Sequence, residues 1–173
     1  MKRALLAALI AAAVPAQAQH HGYAGFKDRE IKALSPEQVK QYQIGAGMGY
    51  AMPAELNRFP GPMHVLELAD ELRLTPDQRA GTQALMDAHK AEARAIGAKR
   101  IEAERAIEAL FRSGAVSDAA LSKAVNEAAA LEGAYRLSHL ETHRRMRQLL
   151  TPEQILRYES LRGYAGGGHR GRH

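Results

Sequence analysis

Three helix starts of one design punctuate this chain and dictate where helices begin. They are Leu34-Ser35-Pro36-Glu37-Gln38, Leu74-Thr75-Pro76-Asp77-Gln78 and Leu150-Thr151-Pro152-Glu153-Gln154. In each, a Ser or Thr side chain is placed to cap a free backbone N–H. Proline follows at the first helical position, where it has no N–H to lose. The acidic residue meets the positive end of the helix dipole, and the Gln reaches back to the cap to complete a capping box. Leu74, Thr75, Gln78, Leu150, Thr151 and Gln154 are therefore read as structural residues. Capping alone is common to helices everywhere, so the spacing matters more. The second and third starts bracket a long polar-rich helical stretch without an enzyme-like motif.

From Pro76 to Arg112 there is no further proline, and Gly81 and Gly97 are tolerable in a helix at about 1 kcal/mol each. Leu85, Met86, His89, Ala93, Ile96, Ala103, Ile107, Leu110 and Phe111 recur at the three-and-four spacing of one helical stripe. Such a helix is roughly 55 Å long. Ser113 and Gly114 end it. Ser117 caps a second helix that runs to about Leu149, with a stripe of Leu121, Val125, Ala128, Leu131, Tyr135, Thr142, Met146 and Leu149. The loop near Ala115 is short enough to make the two helices antiparallel neighbours. Shorter helices are predicted from Pro36 to Ile44, from Met63 to Leu72, and from Thr151 to just before Gly163. Glycines 45, 47 and 49 with prolines 53, 60 and 62 leave 45–62 irregular or turn-rich. The fold expected is all-α: a long antiparallel hairpin with short flanking helices. One hairpin cannot bury so long a stripe alone, so a homodimer is expected; a monomer closed by the short helices is the alternative.

Met1-Lys2-Arg3 is positive, Ala4 to Val14 is apolar and uncharged, and Ala16-Gln17-Ala18 has a small-x-small spacing. This pattern reads as a secretory signal cleaved after Ala18, too short to span a membrane. The chain then divides into a signal (1–18), an arm with one short helix and a Gly/Pro-rich loop (19–62), a helical domain (63–164) and a flexible Gly/Arg/His tail (165–173). With no cysteine, disulfides, thiolate metal sites and thiol catalysis are excluded. Loss of Lys2 and Arg3 takes the formal charge of +5 to +3. There is no concentrated basic stripe with interleaved aromatics, so no nucleic-acid partner is expected. A phosphate loop, a Gly-x-Ser-x-Gly elbow and a His-Glu-x-x-His pair are all missing, and no catalysis is expected.

The order of signal, short helix, Leu74–Gln78 motif, charged hairpin, Leu150–Gln154 motif and final short helix resembles the Spy/CpxP family, named for paired Leu-Thr-x-x-Gln motifs. The resemblance covers about Met63 to Tyr164. The related ZraP and CnrX proteins share the hairpin plan and bind metals. It implies a thin, cradle-like dimer in the bacterial periplasm that acts as an ATP-independent chaperone for unfolded envelope proteins within a stress response. No cofactor is required on that reading. The sensor domain of an envelope-stress kinase is a further candidate partner. The 19–62 arm lies beyond the family pattern.

Two residue sets are candidates for function. A client-binding surface needs scattered apolar contacts and charge. Lys90, Arg94, Arg100, Arg144 and Arg147, with Leu85, Met86 and Ile96, supply them; the alternative is a solvated face laced with Glu92, Glu102, Glu104 and Glu108. The second set is metal-ligating. His139 and His143 are four apart on one helical face. Residues facing each other across the hairpin should have numbers summing to about 230, which sets His89 opposite Glu141, with Glu92 one turn further on. Three imidazoles and a carboxylate suit Zn, Ni or Cu, and His64 is a further candidate. The alternative is a boundary histidine and two solvent-facing ones. The function this set implies is heavy-metal binding or sensing. His20, His21, His169 and His173 near the ends are compositional only.

Overall fold

The computed structural model describes residues 23–165, so the expected signal, its expected cleavage point and the four terminal histidines lie outside the described residues. After a 3-10 turn (Tyr23–Phe26), the helices are α1 (Pro36–Ile44), α2 (Met52–Glu55), α3 (Pro62–Glu67), α4 (Pro76–Ser113), α5 (Asp118–Leu149) and α6 (Pro152–Leu161). Among the described residues every regular element is helical. All three capping boxes form: Ser35 with Gln38, Thr75 with Gln78, and Thr151 with Gln154. Ser117 caps α5 by accepting from the Ala120 N–H. Gly114, at φ +70°, ends α4 in the left-handed conformation that glycine adopts without strain. The hairpin of α4 and α5 is antiparallel, as its loop length demands.

The single turn of α2 lies inside the segment expected to be irregular or turn-rich, and one predicted boundary differs. The helix predicted to run from Met63 to Leu72 stops at Glu67 and continues as turns. Arg73, at φ +52°, closes those turns: its N–H donates to the Asp70 carbonyl, and the Leu74 N–H to the Ala69 carbonyl. This is the paired bonding of a left-handed cap. Ala69 and Leu72 stay buried in either geometry, so the apolar pattern does not distinguish them.

The core has two parts. One, at the open end of the hairpin, joins Val65, Leu72, Leu85, Met146, Leu150, Ile155 and Tyr158. The other, midway along, joins Ile31, Leu34, Tyr42, Ala93, Ile101 and Tyr135. The arm supplies Ile31, Leu34 and Tyr42, so it covers the stripe from within the same chain. Its closest approach is at Gly97, where a Cβ would lie 2.2 Å from the Tyr42 carbonyl oxygen. Gly97 is thus needed for the crossing of α1 over α4. The Tyr42 and Tyr135 rings meet edge to face at 5.0 Å, and the Tyr135 hydroxyl donates to the Ala46 carbonyl at 2.7 Å. Tyr42 and Tyr50 both donate to Glu132, which also takes the Arg100 guanidinium at 3.2 Å. Burial pushes the Glu132 carboxyl up, but these three donors outweigh it and hold it below the usual range. Along the stripe, Phe111 (59% exposed) and Val125 (47%) open to solvent toward the hairpin tip, and Leu149 (36%) does so at the open end. The burial argument for a dimer is confined to these few side chains.

The two full motifs meet. Gln78 and Gln154 exchange reciprocal side-chain amide bonds of 2.8 and 2.9 Å. The Gln78 amide also donates to the Leu149 carbonyl, and the Gln154 amide to the Leu72 carbonyl. Each oxygen still accepts its own cap N–H. Both amide groups are thereby satisfied on every side, and the starts of α4 and α6 are clamped together.

Candidate functional site

Between the two apolar cores the hairpin carries polar side chains instead. His89 on α4 and His139 on α5 are 9% and 4% exposed. Their rings cross nearly at right angles, centroids 4.4 Å apart, with His89 Nε2 and His139 Nδ1 at 3.0 Å. The hairpin register brings His89 to His139, two residues from the Glu141 that the numbering rule puts opposite it. Tyr135 and Tyr50 flank His139. Burial drives the His139 imidazole down to about 4, helped by the neighbouring His89 and His143; burial also lowers His89. Both rings are neutral at pH 7. His89 Nδ1 and His139 Nε2 are buried without a hydrogen-bond partner.

These rings form part of the wall of a cleft of about 600 Å³. Its other walls are the Ile44–Met52 loop, the Glu55–Leu56 end of α2, the Gly61–His64 start of α3, and Met86, Thr142 and Tyr164. Lys90 and Arg94 stand on its α4 side. Ile44, Met52, Leu56 and Met63 line it while remaining about half exposed.

His143 also lines the cleft, but its Nδ1 sits 2.8 Å from the Phe59 carbonyl and 3.5 Å from Glu55. Its ring lies so close over Gly61 that a Cβ there would come within 2.9 Å. His64 lines the cleft too, paired with Glu67 at 2.9 Å. Glu92 is exposed and outside the lining. Among the described residues no three His, Cys, Asp or Glu side chains converge to hold a metal ion. The set of three imidazoles plus Glu92 is therefore not assembled. The rings of His89 and His139 meet, while His143 is turned to backbone.

The candidate client surface divides similarly. Leu85 and Met86 are buried, and Ile96 packs against the midway core. Arg100 is enclosed by Glu104 and Glu132, its side chain only 13% exposed. Arg144 is held by Glu141, and Arg147 stacks on Phe59. Lys90 and Arg94 alone of the five cations line the cleft. Sequence reasoning missed Met48, Met52 and Met63 as a group, because they lie on three separate elements with no common period. It also missed Glu55, which accepts from the Tyr158 hydroxyl and, at 3.0 Å, from the Gly61 N–H.

The clamped pair of Leu-Thr-Pro-acidic-Gln motifs is the feature by which the chain can be placed. The family model described as LTXXQ motif family protein matches residues 62–162. The chain belongs to the LTXXQ motif family. This is the family of Spy/CpxP-type periplasmic proteins, and it is not a family of enzymes. No curated protein and no solved structure matches the chain. The family match takes in both motifs joined by the Gln78–Gln154 pair and leaves out the third, at Leu34–Gln38, whose Gln38 serves only its own cap. Among the described residues no helix is long and apolar enough to cross a membrane.

Proposed function

We propose that this LTXXQ protein is an ATP-independent, chaperone-like binder of unfolded chains in the periplasm, acting within an envelope-stress response and without catalytic turnover. The observation that supports this most is the cleft beside α4. Ile44, Met52, Leu56 and Met63 leave apolar side chains half in solvent around one concavity. Methionine adapts its shape to irregular apolar partners, which suits a site that must accept many segments. Lys90 and Arg94 on the same rim add positive charge, which speeds encounter with acidic clients and weakens with salt.

The purified mature protein should suppress aggregation of a denatured client at near-stoichiometric ratio. Replacing rim residues by polar ones, as in M52Q/L56Q, should reduce suppression several-fold with the helical circular dichroism unchanged. Absence of suppression by the wild type, or full suppression by the folded variant, would overturn this reading.

A further inference from the structure

The inner part of the same cleft has a chemistry that client capture does not need. Four of the chain's six methionines line the cleft, with Met86 buried at its wall, Met48 partly buried and Met52 and Met63 half exposed toward the rim; the other two are Met1 and the core residue Met146. With no cysteine in the chain, thioethers are its only soft side-chain donors.

The His89–His139 contact fixes the proton count. A neutral imidazole has one N–H and one lone pair. The shared 3.0 Å bond uses one of each. Either His89 donates, leaving a lone pair on its Nδ1 and a spare N–H on His139 Nε2, or His139 donates and the two are reversed. In both cases one buried nitrogen lone pair remains without a partner, on a ring whose other nitrogen donates a hydrogen bond. That second bond orients a metal-ligating imidazole and makes it a better donor.

We propose that the inner part of this cleft is a site for a soft monovalent cation, Cu⁺ or its analogue Ag⁺, held by one nitrogen of the His89–His139 pair and by methionine thioethers, Met86 foremost. Met86 precedes His89 by three residues and so shares its helix face. A thioether takes no proton and so offers its sulfur lone pair whatever the pH. The thioethers are uncharged and soft, and with no thiolate or free carboxylate beside them among the described residues they favour a soft monovalent ion over Zn²⁺ or Ni²⁺. Lys90 and Arg94 at the rim oppose a doubly charged ion more than a singly charged one. Glu55, the carboxylate nearest to hand, is already engaged by Tyr158 and Gly61. The proposal stands apart from client binding, although the two share a cleft.

The test uses the full mature chain with His20, His21, His169 and His173 replaced by Ala, so that the ends contribute nothing. Cu⁺ is titrated anaerobically against a chromogenic Cu⁺ chelator, and Ag⁺ is followed by the methyl resonances of ¹³C-labelled methionine. One equivalent should be retained, with the Met86 methyl shifted, and Zn²⁺ at the same concentration should leave that signal in place. M86L keeps the volume and should weaken retention at least tenfold without changing circular dichroism or Tm. No retention by this chain, undiminished retention by M86L, or an equal response to Zn²⁺ would overturn the site. Loss of aggregation suppression by the wild type would count against the chaperone reading alone.

Discussion

Removing Gln78 tests whether the paired motif is a clamp or merely a cap. The Gln78 side chain makes four hydrogen bonds: one to its own cap N–H, one to the Leu149 carbonyl and two with Gln154. At about 1 kcal/mol net for each bond, discounted because the site is only partly buried, Q78A should cost about 2–3 kcal/mol. That corresponds to roughly 5–10 °C in Tm for a domain of this size. The chain carries its own control in Gln38, whose side chain makes only the capping-box bond to the Ser35 N–H. Q38A should therefore cost about 1 kcal/mol or less. Because two of the four bonds join Gln78 to Gln154, the costs of Q78A and Q154A should not add. Urea unfolding of both single variants and the double should give a coupling of about 1–2 kcal/mol. Additivity within about 0.5 kcal/mol, or a Q38A cost equal to that of Q78A, would refute the clamp.

Four further outcomes are expected. G97A should destabilise by more than about 2 kcal/mol despite alanine's better helix propensity, because its Cβ would lie 2.2 Å from the Tyr42 carbonyl. G133A has open space around its Cβ and should stabilise by up to about 1 kcal/mol; denaturant midpoints of the two variants should move in opposite directions. His139 titrates at about 4 folded against 6.5 unfolded, so on acidification the unfolded chain takes up the proton first. Its contribution of about 3 kcal/mol is complete above pH 6.5 and is lost as pH falls toward 4; urea midpoints should track this in the wild type and flatten in H139Q. Y135F removes the bond to the Ala46 carbonyl and should cost about 1 kcal/mol, read in the same unfolding assay.

How much of the molecule is legible in its sequence depends on the range of each interaction. The starts of α1, α4, α5 and α6 were legible because capping is written within four residues. The hairpin and the nearness of His89 to His139 were legible because a short loop fixes the register of the second helix against the first. By sequence Gly97 is only a helix cost, since nothing near it in the chain announces that Tyr42 presses against it. Arg100, Leu85 and Met86 read by sequence as a binding surface because helical periodicity gives a direction but not the neighbour that fills it. The reciprocal bonds of Gln78 and Gln154 were hidden for the same reason: each glutamine is fully explained by its own cap. The methionine group shares no period at all. It exists only once the Ile44–Met52 loop and α3 have been laid beside α4.

The clamp also has an order in time. A ribosome delivers Ile31, Leu34 and Tyr42 long before Tyr135 exists, so the arm must wait for nearly a hundred residues of further synthesis. Gln154 arrives later still, on the last of the described helices. A chain truncated shortly before it would hold both rods but lack the fastening at their root, and nascent molecules should become resistant to proteases only when α6 has emerged.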